Sequence, residues 1–150
     1  MDEPDFPERE TTRKIIGAFY YVYNRLGHGF SEPVYQRSLA HVLERTGLAV
    51  QREHPVTVRF EDIVVGEFRL DLVVDRRVVV EVKAVERFHP AHEAQVINYL
   101  RAACLPVGLM LNFGPSAEFR RLVCSLETPR VTPRAEFPDT GGAPTRRRRP

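Results

Sequence analysis

Residues 11–26 place Ile15, Ile16, Phe19, Val22, Tyr23 and Leu26 at helical spacing. Gly27-His28-Gly29 closes that segment. Ser31-Glu32-Pro33 opens a second helix, because serine is a good N-cap and proline is tolerated in the first turn. Its apolar stripe is Val34, Leu39, Val42 and Leu43, and Gly47 ends it. Over 49–60 the pattern changes to alternation, with Val56, Val58 and Phe60 on one face. A turn at Glu61-Asp62 leads into a strand over 63–74, and a polar break at Asp75-Arg76-Arg77 leads into another over 78–85. Pro90 begins a helix to about Ala103, Pro106 precedes the apolar strand Val107–Phe113, and a short element over about 118–126 adds a strand. The order α-α-β-β-β-α-β, before that last short strand, predicts an α/β (α+β) fold, in which an antiparallel meander and a helical crossover form a mixed sheet flanked by helices.

Two of the apolar runs carry charges in their middles. Asp71 interrupts Phe68–Val74, and Glu81-Val82-Lys83 interrupts Val78–Val85. Charged residues are among the last to be buried without a partner. A three-residue loop made of 75–77 places Asp71 directly opposite Glu81 on one face of the hairpin. A two-residue loop would send the carboxylates to opposite faces. Three-residue loops favour glycine at their left-handed position, and none is present here. In the three-residue register two opposed carboxylates are destabilising unless a cation lies between them. Mg²⁺ suits such a pair, since it uses one or two protein carboxylates and takes other ligands from water and phosphate. Lys83, two residues past Glu81 on the same face, can then orient or deprotonate the attacking water. The competing reading is a plain ion pair between Asp71 and Lys83, with Glu81 reaching solvent at a sheet edge.

Composition bears on that choice at one point. Of 22 basic residues only Lys14 and Lys83 are lysine, and in so arginine-biased a chain a simple salt bridge would fall more readily to arginine. The length suits one domain, and 43% hydrophobic and 28% charged content are ordinary for a globular protein. No apolar stretch is long enough to span a bilayer, and the acidic start Met1–Asp5 is unlike a signal peptide. Cys104 and Cys124 stand apart from any metal-type cluster, which points to small buried thiols in a reducing cytoplasm. Residues 1–10 form an acidic, flexible segment, 11–127 the domain, and 128–150 a disordered Pro/Arg-rich tail. The net charge of +2 hides a gradient, −4 over residues 1–10 against +4 over 129–150, so the segment between is nearly neutral and overall charge does not argue for a nucleic-acid partner. The Arg146–Arg149 run reads as a solvated tail or as a non-specific phosphate contact.

Further polar residues can converge on the carboxylates. His92, Gln95 and Tyr99 share one stripe of the helix after Lys83, with Ala94, Ile97 and Leu100 on the other side. The stripe is either an outer face or an edge bordering the strands. In the latter case Gln95 reaches the scissile phosphate or a nearby water. Glu32, at a helix start, either complements the helix dipole or supplies a further carboxylate, with Tyr35 beside it. His92-Glu93 has no histidine at 96, which excludes a zincin site.

Gly29-Phe30-Ser31-Glu32-Pro33-Val34-Tyr35 resembles the signature of the GxxExxY family, within the PD-(D/E)XK, restriction-endonuclease-like nuclease superfamily. The likeness continues through Gly66-x4-Asp71, Glu81-Val82-Lys83 and His92-Glu93-Ala94-Gln95-x3-Tyr99, covering roughly residues 13–125. It implies a restriction-endonuclease-like core, with Mg²⁺ held by Asp71 and Glu81, Lys83 serving the attacking water, and Glu32 and Gln95 completing the site. The expected function is a Mg²⁺-dependent nuclease, with Mn²⁺ as a substitute, that hydrolyses DNA or RNA through a metal-activated water. In it the Val82 carbonyl helps to hold the ion, and Tyr35, His92 and Tyr99 lie within reach of substrate. A homodimer is an option, since cutting both strands of a duplex needs two sites. The alternatives are a catalytically silent module that binds nucleic acid or protein on the same fold, and a hydrolase of small phosphoesters.

Overall fold

The computed structural model describes residues 6–125. Its elements run α1 (Arg9–Leu26), α2 (Glu32–Arg45), β1 (Val50–Phe60), β2 (Ile63–Val74), β3 (Val78–Lys83), α3 (Pro90–Ala103), β4 (Val107–Phe113) and β5 (Ala117–Val123). The strands form one five-stranded sheet in the order β1-β2-β3-β4-β5. Only β3 and β4 are parallel, because α3 carries the chain across between them. The remaining neighbours are antiparallel. The expected tail from Thr128 lies outside the described residues. Among the described residues no helix is long and apolar enough to cross a membrane.

The helices cover both faces of the sheet. On one face Ile15, Phe19 and Val22 of α1 and Leu39 and Leu43 of α2 pack on Leu72, Val74, Val80, Leu109 and Leu111. On the other, Val96 and Leu100 of α3 pack on Val56, Leu70, Val73, Val79 and Met110. Each such fully buried side chain contributes roughly 1.5–3 kcal/mol. The buried side of α3 is thus Val96 and Leu100, whereas Ala94 is exposed. Val56 is buried, but Phe60 is 64% exposed because the β1–β2 hairpin runs beyond the helix that would cover it. That hairpin turns at Glu61 and Asp62, both left-handed, as a two-residue turn requires. Cys124 is buried as expected. Cys104 is exposed, since it occupies the left-handed cap that ends α3.

The hairpin that decides the carboxylate geometry has the three-residue loop. Leu72 faces Val80, Val73 faces Val79 and Val74 faces Val78. Asp75 and Arg76 take the left-handed positions, with φ of 52° and 57°. Asp75 replaces the missing glycine because its surroundings hold it. Its N–H donates to Ala49 O (2.8 Å), and its Oδ1 accepts from Ala49 N–H (2.9 Å). Aspartate is also one of the few residues that tolerates this region.

Candidate active site

The β2–β3 pairing stops one step before Asp71 and Glu81, and the two carboxylates take over its hydrogen bonds. Asp71 N–H donates to Glu81 Oε2 (3.2 Å), and Val82 N–H donates to Asp71 Oδ2 (2.8 Å). Each acid thereby grips the other acid's strand, and the strands part around them. β3 stays paired to β4 through Lys83, opposite Asn112, so β2 is the strand that leaves. The inward alternation of β2 reverses at this point. Leu72 and Val74 pack under α1 and α2, while Leu70 and Phe68 pack under α3. Asp71 sits at the crossover between the two faces.

Burial sets the electrostatics. Glu81 is 6% exposed, and burial first, then the charge of Asp71, pushes its carboxyl up to about 8. Asp71 is also raised, mainly by burial and further by the charges of Glu32 and Glu53, against the Val82 N–H bond and Lys83, which lower it. Glu32, the first residue of α2, is exposed and overlooks both acids, since its charge opposes ionisation of each. Lys83 is half-buried and makes no ion pair among the described residues. The simple Asp71–Lys83 salt bridge is therefore not formed, and the ammonium acts on both carboxylates through space.

Two side chains join the cluster that sequence reasoning passed over. Glu53 lies opposite Asp71 in the β1–β2 register, with Arg52 facing Leu72 and His54 facing Leu70, and its φ is 54°. Gln36, buried on α2, donates through Nε2 to Glu53 Oε2 (2.8 Å) and to Asp71 Oδ1 (3.4 Å). Arg52 Nη1 donates to Gln36 Oε1 (3.4 Å), which fixes the amide. The available signal was spacing: Gln36 stands four residues after Glu32, on the same helical stripe.

The other expected residues divide. Tyr99 lies beside the carboxylates: burial, then Glu81 and Asp71, raise its phenol. Its ring stacks on Phe68 with centroids 4.2 Å apart. His92 caps α3, its Nδ1 accepting from His89 N–H (3.0 Å). Desolvation, then the charges of Lys83 and His89, lower its pKa against the opposing charge of Glu32. Gln95 is exposed, lines a hollow with Phe68 and Tyr99, and makes no side-chain hydrogen bond among the described residues. Tyr35 is fully buried and stacked on Phe113 at 4.4 Å. Its hydroxyl donates to Gly27 O (2.5 Å) and accepts from Phe30 N–H (3.1 Å). That side chain pins the α1–α2 loop and presents nothing to a ligand.

Below Lys83 the main chain is held by Asn112, fully buried. Its Oδ1 accepts from Val85 N–H (2.9 Å) and Gly114 N–H (3.0 Å), and its Nδ2 donates to Val85 O (2.9 Å). These bonds fix the exit of β3 and with it the stem of Lys83.

A cation fits this donor set. Two carboxylates resist ionising side by side in a buried cleft, with two more acids at its edge, and positive charge resolves that conflict. Among the described residues no three His, Cys, Asp or Glu side chains form a closed metal cage. Two carboxylates with open positions are the arrangement Mg²⁺ uses when substrate completes its shell.

A family model described as the PD-(D/E)XK nuclease superfamily matches residues 9–122. No curated protein matches this chain. Among solved structures, the crystal structure of SSO0001 aligns with a TM-score of 0.50 at 18% identity, over 63% of this chain. The aligned part spans 50% of that longer chain, and the likeness is one of fold.

Proposed function

The chain belongs to the PD-(D/E)XK nuclease superfamily, and we propose that it is a divalent-metal-dependent nuclease of the GxxExxY type. In this reading Mg²⁺, or Mn²⁺ in its place, is held by Asp71, Glu81 and the Val82 carbonyl. When bound, that cation supplies a Lewis acid for water and phosphate. Lys83 orients the attacking water, takes up its proton or offsets charge on the phosphoryl oxygens. Glu32 contributes a further carboxylate from α2, and Gln95 a hydrogen bond to the phosphate from α3. Gln36, itself anchored by Glu53 and Arg52, holds Asp71 in place. The substrate is DNA or RNA, and the exposed thiol of Cys104 suits a reducing compartment such as the cytoplasm.

The observation that carries the reading is the reciprocal pair at the parted end of β2 and β3. A buried carboxylate and a half-buried one, each bonded to the other's strand, are costly to keep side by side and gain a purpose with a cation between them. The test is cleavage of single- and double-stranded DNA and RNA in Mg²⁺ or Mn²⁺. Wild type should cut, and Glu81→Ala and Lys83→Ala should not. Activity unchanged in both variants would sink the proposal.

A further inference from the structure

Beside the carboxylate cleft lies a hollow of about 520 Å³ between α3 and the β1–β2 hairpin. That volume is within the range of small-molecule sites, roughly 300–1,000 Å³. Its walls are Val58, Phe68, Ala94 and Tyr99, and its polar groups are the amides of Gln95 and Asn98. Phe68 and Tyr99 form one aromatic stack, tilted by only 20°. The Asn98 amide is oriented, because its Oδ1 accepts from Arg101 Nη1 (3.0 Å).

The hollow is tied to the cleft by two elements. Phe68 precedes Asp71 by three positions on β2, about 10 Å along the strand. Tyr99, on the other wall, is close enough that Glu81 and Asp71 both oppose its ionisation. A polynucleotide whose phosphate lies at the carboxylates therefore brings a neighbouring base to this hollow.

We propose that the hollow receives one unpaired nucleobase next to the scissile phosphate, so that the preferred substrate is single-stranded or locally unpaired nucleic acid. The proposal takes its ligand class from the nuclease reading. The chemistry is that of base recognition in unpaired strands: an aromatic platform for the ring face and amides for its edge. A base inside a duplex has both faces stacked and its pairing edge engaged, and it reaches the hollow only after leaving the helix. Small side chains on α3 leave room for the ring. Ala94 is an exposed wall residue, so Ala94→Leu fills the space from a helix surface that tolerates leucine well.

The test uses the full chain in Ca²⁺ buffer, with oligonucleotides carrying 2-aminopurine in an unpaired tract or in a duplex. Wild type should quench the unpaired probe on binding. Ala94→Leu and Asn98→Ala should each lose affinity for it by about tenfold, in the range of one stacked base, with duplex affinity unchanged. Equal quenching in all three proteins, or tighter binding of the duplex probe, would overturn the proposal. Cleavage in Mg²⁺ is scored separately. Cutting without quenching defeats the base pocket alone, and quenching without cutting upholds the pocket while defeating the nuclease reading.

Discussion

In metal-free protein, raising the pH from about 5 to about 8 should destabilise the fold through Glu81. Its carboxyl is held at about 8 against an ordinary value of 4.5, by burial first and by Asp71 second. Between those values the folded state binds more protons than the unfolded one. The stabilising contribution is complete below the unfolded value and is lost as pH rises through the folded one. Each pH unit inside the window is worth about 1.4 kcal/mol, so the whole window is worth on the order of 4–5 kcal/mol. Asp71, also raised by burial, acts in the same direction. For a folded part of this size the loss corresponds to a fall in Tm on the order of 15 °C. The assay is calorimetric melting in EDTA across that pH range, for wild type and Glu81→Gln. An amide does not titrate, so the variant should lose most of the slope. A wild-type Tm that is flat or rises with pH, or a Glu81→Gln variant with the wild-type slope, would refute the reasoning.

Lys83→Ala should lower nuclease turnover by about a hundredfold or more, and Lys83→Arg should not rescue it. A rescued Arg variant would mean the residue is only a charge. Gly114→Ala should cost roughly 2–3 kcal/mol in urea denaturation, because an added Cβ would meet Val85 O at 1.9 Å. A neutral result would contradict the tight corner that Asn112 builds under Lys83. Glu53→Gln removes a charge that raises Asp71, so it should stabilise metal-free protein at high pH and weaken Mg²⁺ binding several-fold by calorimetry. Unchanged Mg²⁺ affinity would take Glu53 out of the site.

Hairpin parity made the carboxylate pair legible in the sequence. Side chains alternate along the paired stretch, so the length of the 75–77 break set the register as far as the Leu72–Val80 pair, and the observed one is the three-residue register. Past that point alternation breaks, and Asp71 and Glu81 are joined through bonds to each other's strand. What sequence could not supply was how that loop does without glycine: the answer is the pair of bonds between Asp75 and Ala49, from another strand's start. Glu53 was hidden by the backbone. A two-residue turn at Glu61-Asp62, carried down regular strands, sets Glu53 against Leu70. The register shift between Val58 and Arg59 moves it opposite Asp71 instead. Tyr35 was misleading for the opposite reason. A tyrosine three residues after Glu32 looks like a ligand contact, yet a helix turned toward the sheet buries that position, and the hydroxyl closes a local loop. Gln95 stands between these cases: its stripe was visible, and the structure puts it at the hollow with Phe68 rather than in contact with the acids.

The proposed nuclease centres on a divalent cation shared by Asp71 and Glu81. A crystal soaked in Mn²⁺ near neutral pH, measured at a wavelength where manganese scatters anomalously, tests it directly. The expected result is one strong anomalous peak within coordinating distance of both carboxylates, absent from an Asp71→Asn crystal treated identically. A map of well-ordered wild type with no peak between Asp71 and Glu81, or with manganese bound only elsewhere, would contradict it.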